Sequence, residues 1–183
     1  IAARLVTEAL AAITASEPDK KCLEEAFASA EDAIEAFKNQ ESLPAFPKAC
    51  VTTAWLREGI GGHHIGLIGH AGDTTALLVN HTTETIERLT TPHAVWIGKQ
   101  FAINRYIGGK KIPPDVTTVV VPPNCTLLLV TDGVTKKLNV GDVLTRPLYA
   151  VNPQELVFAL VRMAIIAGEH DDISAVAVRT LRF

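Results

Sequence analysis

The sequence predicts an α+β domain with helices layered on antiparallel sheet. Three observations predict it. Apolar residues recur at helical spacing through the front of the chain. Short β-rich runs split by Gly-rich or polar turns fill the middle. One capped helix and one strand close it. That order is the pattern of helices packed on sheet rather than of alternating β-α-β units. The chain has 183 residues, 48% hydrophobic and 20% charged, which excludes a disordered chain. Such a length suits about one domain and lets roughly 70% of the unfolded surface be buried. Aromatics are only 5%, so the core must be built mainly from aliphatic residues and alanine.

Residues 1–14 are alanine-rich, with Leu5, Ala9 and Ala12 on one helical face. Ser16-Glu17-Pro18-Asp19 reads as a stop and restart, with Ser16 as the next cap and Pro18 in the first turn. Cys22/Leu23, Ala26/Phe27, Ala30, Ala33/Ile34 and Phe37 continue at helical spacing until Leu43-Pro44-Ala45-Phe46-Pro47. Strands are then expected over residues 49–56, 65–70, 74–79 and 85–89. Residues 117–121 and 126–130 are expected to form a hairpin across Pro122-Pro123-Asn124, and residues 90–115 a long irregular segment. Asn152-Pro153-Gln154-Glu155 caps the last helix, Leu156, Leu160, Val161, Ala164 and Ile165 share its face, and Gly168 ends it. Residues 173–178 form the closing strand.

Charge narrows the function classes. Lys+Arg 17 against Asp+Glu 20 leaves a formal net charge of −3, which argues against a nucleic-acid partner. Cys22, Cys50 and Cys125 are widely spaced, without a CxxC pair or zinc spacing, and read as free thiols in a reducing compartment. No apolar run approaches the roughly 20 residues of a membrane span, and no basic-then-apolar segment opens the chain. The expectation is a cytoplasmic protein without a membrane partner.

Three acidic positions stand where strands stop or start. Asp132 follows the apolar run 127–131 and precedes Gly133. Asp171, with Asp172 beside it, lies between the Gly168 helix end and the last strand, and Asp73 lies in a Gly-containing turn. Strand ends and strand starts of an antiparallel core can meet at one rim. Carboxylates gathered there repel one another, and a cation relieves that repulsion. Oxygen ligands without His or Cys select hard ions, Mg²⁺ or Mn²⁺. Taken singly, each acid also suits an ordinary polar turn. Gly61-Gly62 and Gly108-Gly109 do not match a phosphate-cradling loop.

The order of these motifs resembles the metal-dependent protein phosphatases of the PPM (type 2C) family. Ala71-Gly72-Asp73-Thr74-Thr75-Ala76 is similar to its V-G-D-S-R-A turn, and Leu89-Thr90-Thr91-Pro92-His93 to its L-T-x-D-H. Ile103-Asn104-Arg105-Tyr106-Ile107-Gly108 resembles I-T-R-x-I-G, and Pro114-Asp115-Val116 the P-D-V that follows. Thr131-Asp132-Gly133-Val134 resembles S-D-G-L, and Asp171-Asp172-Ile173-Ser174-Ala175-Val176 resembles D-N-I-T-V-V. The likeness runs from about Ala49 to the C-terminus.

That resemblance implies a β-sandwich flanked by helices and a centre of two, or with an accessory site three, Mn²⁺ or Mg²⁺ ions. It implies hydrolysis of phosphoserine and phosphothreonine in proteins by a metal-activated water. Carried over by motif, Asp132 and Asp171 are metal ligands, and Asp73 is a candidate for the accessory ion. The family's G-D-G-x-G-G segment with its bridging Asp is absent from the chain, which opens at Ile1. The expectation is one domain over residues 1–183, lacking its N-terminal strands and weak or inactive alone. The alternative is an inactive pseudophosphatase that serves as a binding or regulatory module. Lys136 stands where many members have an Asp for the accessory metal, so a lysine there opposes a third cation. Asp172 replaces the usual Asn, and Pro92 the Asp of L-T-x-D-H. The specific phosphoprotein and the oligomeric state are not encoded in any motif.

Overall fold

A computed structural model describes residues 1–13, 18–98, 100–109, 113–141 and 152–181. Its helices are α1 (Ala2–Ala11), α2 (Lys20–Gln40), the short α3 (Asp132–Thr135) and α4 (Pro153–Ile166). Its strands are β1 (Val51–Glu58), β2 (His64–Ala71), β3 (Thr75–Asn80), β4 (Thr85–Arg88), β5 (Ala94–Ile97), β6 (Gln100–Ile103), β7 (Asp115–Val121), β8 (Cys125–Val130) and β9 (Ala175–Arg179). The α+β class is as expected. The chain divides into two compact units, one of Ile1–Arg57, Gly66–Asp73 and Pro92–Val119, the other of Glu58–Ile65, Thr74–Thr91 and Val120–Phe183.

In the first unit α1 and α2 pack through small and aliphatic residues. Ala2, Val6, Phe27, Ala30, Ile34, Ala71 and Ile107 form one buried cluster. The cap of α2 differs from expectation. Asp19 is the N-cap and its Oδ1 accepts from the Cys22 N–H at 2.8 Å, while Pro18 precedes the cap. Ser16 lies outside the described residues. Strands β1, β2 and β7 form a three-stranded sheet in that order. Gly69 in β2 is a packing glycine, because a Cβ there would fall 2.9 Å from the Phe27 ring.

The second unit holds a four-stranded sheet in the order β4-β3-β8-β9, all neighbours antiparallel. Leu128 in β8 faces Leu77 on one side and Ala177 on the other. Leu77, Val79, Leu128, Val130, Val134, Val140, Leu156 and Leu160 form its core. Helix α4 begins as expected. Asn152 accepts from the Gln154 N–H at 2.9 Å, Pro153 occupies the first turn, and Gly168 follows the helix at φ +80°. Leu156, Leu160 and Ala164 are buried, whereas Ile165 is 58% exposed and lies off the buried face.

Two expectations are corrected. Strands β7 and β8 do not form a hairpin, since they belong to different sheets. Pro122 and Pro123 offer no N–H for a ladder, and Asn124 turns the chain at φ +62°. The segment 90–115 is not wholly irregular either. Strands β5 and β6 pair antiparallel within it, Ala94 opposite Ile103 and Val95 opposite Ala102, around Gly98 at φ +62°. A β-rich run on each side of a glycine is a hairpin signal that the sequence already carried.

One pH response follows from the second unit. His81 Nε2 bonds Thr126 Oγ1 at 2.8 Å. Burial, then the nearby Arg179 charge, lowers the His81 pKa from its ordinary 6.5. The native state therefore binds the proton less readily than the unfolded chain. This stability is present above the unfolded pKa and lost as pH falls through the folded one. The wild-type melting temperature should fall between pH 7.5 and pH 5.5, and that of His81→Gln should fall less. Equal falls in both would remove His81 from the acid response.

Candidate functional site

Strand β8 delivers Thr131 to its end, and Asp132 opens α3 immediately after it. A clasp holds the loop before β9 against this point. Thr131 Oγ1 donates to the Asp172 carbonyl at 2.9 Å and accepts from the Ser174 N–H at 2.9 Å. The Thr131 N–H donates to the Ser174 carbonyl at 3.0 Å. Gly133 lets the two segments close, because a Cβ there would lie 2.6 Å from the Asp172 carbonyl oxygen. The glycine of the Asp132-Gly133 pair thus serves a close backbone approach, not only a turn.

The clasp brings Asp132 and Asp171 to one cation, and that cation is a side chain. One turn of α3 places Lys136 over Asp132, with the Lys136 N–H donating to the Asp132 carbonyl at 2.8 Å. Lys136 Nζ lies 2.7 Å from Asp132 Oδ2 and 2.6 Å from Asp171 Oδ2. Asp171 Oδ1 accepts from the Asp172 N–H at 2.9 Å, and Glu169 Oε1 accepts from the N–H groups of His170 and Asp171. Hydrogen bonds first from Asp132, then from Asp171, raise the Lys136 pKa above the usual lysine range. Lys136 first, and then the Asp172 N–H, hold Asp171 below the usual carboxylate range.

Among the described residues no three of His, Cys, Asp or Glu gather as a metal group. The pair itself fits a hard divalent ion in donor type and charge. Two carboxylate oxygens already converge on one positive centre, and what stands there is an ammonium.

Asp73 lies in the first unit and is half-buried after Gly72. Gly72 sits at φ +120° and a Cβ on it would lie 2.4 Å from Cys50 Cβ, so only glycine fits this turn. The turn is pinned by His93, whose Nδ1 accepts from the Gly72 N–H at 3.1 Å and whose own N–H donates to the Gly72 carbonyl at 2.7 Å. That bond leaves the proton on Nε2, which donates to Asp115 Oδ2 at 2.8 Å. Arg105 donates to Asp115 Oδ1 at 2.8 Å and to the Pro113 carbonyl. Arg105 also stands 3.2 Å from His93 Nε2, a contact rather than a bond in this tautomer. Burial pushes the Asp115 carboxyl up, but the hydrogen bonds from His93 and Arg105 outweigh it and hold it low. His70 stacks beside His93 at 4.6 Å between ring centroids and bonds Thr52 Oγ1 at 2.9 Å.

His93, Arg105 and Asp115 each belong to a short motif of the sequence, but no motif by itself gives them a role. Their convergence is visible only in three dimensions. Glu31 had no sequence signal at all. It is buried on α2 and accepts from Gly108 N–H at 2.9 Å and Gly109 N–H at 3.3 Å. Those glycine amides cradle a carboxylate of the chain itself.

Comparisons with known proteins agree with this architecture. The chain superposes on the serine/threonine phosphatase PstP/Ppp of Mycobacterium tuberculosis with TM-score 0.79 and 20% identity, over 100% of this chain and 82% of that one. A PstP catalytic domain in complex with 2 manganese ions matches with TM-score 0.76 and 21% identity, over 98% and 80%. The PPM Ser-Thr phosphatase MsPP of Mycobacterium smegmatis matches with TM-score 0.74 and 24% identity, over 97% and 79%. No curated protein matches the sequence. The family described as Stage II sporulation protein E (SpoIIE) matches residues 1–181. With the fold of the PPM phosphatases and a family match over nearly its whole length, the chain belongs to the PP2C-like SpoIIE family.

Proposed function

We propose that the protein is a metal-dependent phosphatase acting on phosphoserine and phosphothreonine in proteins, with Asp132 and Asp171 as ligands of Mn²⁺ or Mg²⁺. The observation that carries this reading is the convergence of both carboxylates on one cation position. The manganese ions of the PstP domain, a structure of the same fold, support it. Divalent ions at such a centre supply charge stabilisation for the phosphoryl group and an acidified water. The chain's own residues orient that centre. Thr131 and Ser174 fix the distance between the two aspartates, and the Asp172 N–H fixes the Asp171 carboxylate plane. Asp73 is proposed as the accessory ligand, on a turn held by His93.

A second reading, an inactive pseudophosphatase that binds or regulates, is favoured by one observation. Lys136 already neutralises part of the charge that an ion would need. Phosphate release from a phosphopeptide by the full-length protein separates the two. Mn²⁺-dependent release is expected, with Asp132→Asn slower by about 100-fold or more, since loss of a ligand removes several kcal/mol of charge stabilisation. Equal rates in wild type and Asp132→Asn would sink the site assignment. Absence of Mn²⁺-dependent release from the wild type would favour the inactive module.

A further inference from the structure

We infer that Lys136 is an internal competitor for the cation position, so that a divalent ion and the Lys136 ammonium exclude one another at Asp132 and Asp171. The inference rests on the ligand roles proposed above for those two residues. Its basis is which oxygens are engaged. Lys136 Nζ holds Oδ2 of both carboxylates, at 2.7 and 2.6 Å. These are short for charge-assisted hydrogen bonds, about 2.7–2.9 Å, and they engage two of the ammonium's three N–H donors. Asp171 Oδ1 accepts from the Asp172 N–H, and the ammonium occupies the point on which Oδ2 of both carboxylates converge, the point an ion bridging them would take.

Charge points the same way. Two carboxylates attract a dication with twice the charge that remains once one ammonium is seated between them. Geometry makes the exchange easy. Magnesium takes its oxygens at about 2.0–2.1 Å, so replacing the ammonium draws each carboxylate inward by only roughly half an ångström. The lysine has somewhere to go, since its side chain is 45% exposed and its four-carbon stem is flexible. Its backbone is held on α3 by the bond to the Asp132 carbonyl, so the side chain moves and the helix does not. The site is therefore switchable between an ammonium-filled and an ion-filled state, and Lys136 sets its ion affinity low.

Titrating Mn²⁺ into the full-length protein and following the free-ion electron paramagnetic resonance signal tests this directly. Lys136→Gln is expected to bind Mn²⁺ at least about tenfold more tightly than wild type, and Asp132→Asn/Lys136→Gln to lose that gain. Equal, measurable affinity in wild type and Lys136→Gln overturns the competition and leaves the ligand roles standing. Absence of binding in both overturns the competition and the ligand roles together. A second measurement uses the wild type alone and holds even if Lys136→Gln misfolds. Amine labelling read by mass spectrometry should show Lys136 more reactive in Mn²⁺ than without it, with Lys20 and Lys21 unchanged. Unchanged Lys136 labelling at saturating Mn²⁺ overturns the inference.

Discussion

Gly108→Ala is expected to lower the stability of the first unit by about 3 kcal/mol or more, the sum of backbone strain and steric overlap. Gly108 sits at φ +112°, and a Cβ there would lie 2.1 Å from the Pro47 carbonyl oxygen. The neighbouring backbone cannot simply give way. Ile107 and Ala49 exchange two hydrogen bonds of 2.9 Å beside the collision, and the Gly108 N–H donates to buried Glu31. For a chain of this size such a loss should lower the melting temperature by roughly 10 °C. Gly98→Ala is the control, because Gly98 also has positive φ, +62°, but nothing within 4 Å of a built Cβ. It should cost only about 1–2 kcal/mol, the ordinary left-handed strain. If the two variants melt together, the collision at Pro47 is relieved by movement and the steric argument is wrong.

Gly133→Ala should act at the candidate centre. Alanine suits a helical position better than glycine by roughly 1 kcal/mol, so local propensity alone predicts a small gain. The 2.6 Å approach to the Asp172 carbonyl predicts the opposite. Overlap of this kind costs about 1–3 kcal/mol in a packed site. The expected result is a net loss of stability together with a displaced 171–174 loop. Lys136 would then lose its Asp171 contact, so its amine labelling should rise without Mn²⁺, and Mn²⁺-dependent phosphate release should fall. Wild-type labelling and release in Gly133→Ala would show that the clasp does not set the distance between the carboxylates.

Much of the fold was legible because its signals are local. Asn152-Pro153 and Gly168 mark the ends of α4 by capping chemistry that needs no tertiary partner. The apolar run before Asp132 reads as a strand, and β8 is buried along nearly its whole length. Where expectation failed, a non-local term decided. The residues of β7 and β8 suit a hairpin equally well, but two prolines interrupt the ladder and the strands join different sheets. Ser16 and Asp19 both have cap chemistry one turn apart, so the sequence alone does not choose between them.

Element types, the α+β class, the motif order that resembles the PPM phosphatases, and Asp132, Asp171 and Asp73 as candidate ligands can all be read from the chain alone. Periodicity, capping and turn chemistry are short-range, so a single chain displays them. That Asp132 and Asp171 meet on Lys136 is visible in the folded chain and not in the sequence. Folding alone closes His93, Arg105 and Asp115 into one network, and makes Glu31 the carboxylate that fills the Gly108-Gly109 cradle. Those meetings join residues such as Lys136 and Asp171, 35 positions apart. Such a distance is closed by sheet pairing and a glycine that permits close approach, neither of which leaves a periodic trace in the chain.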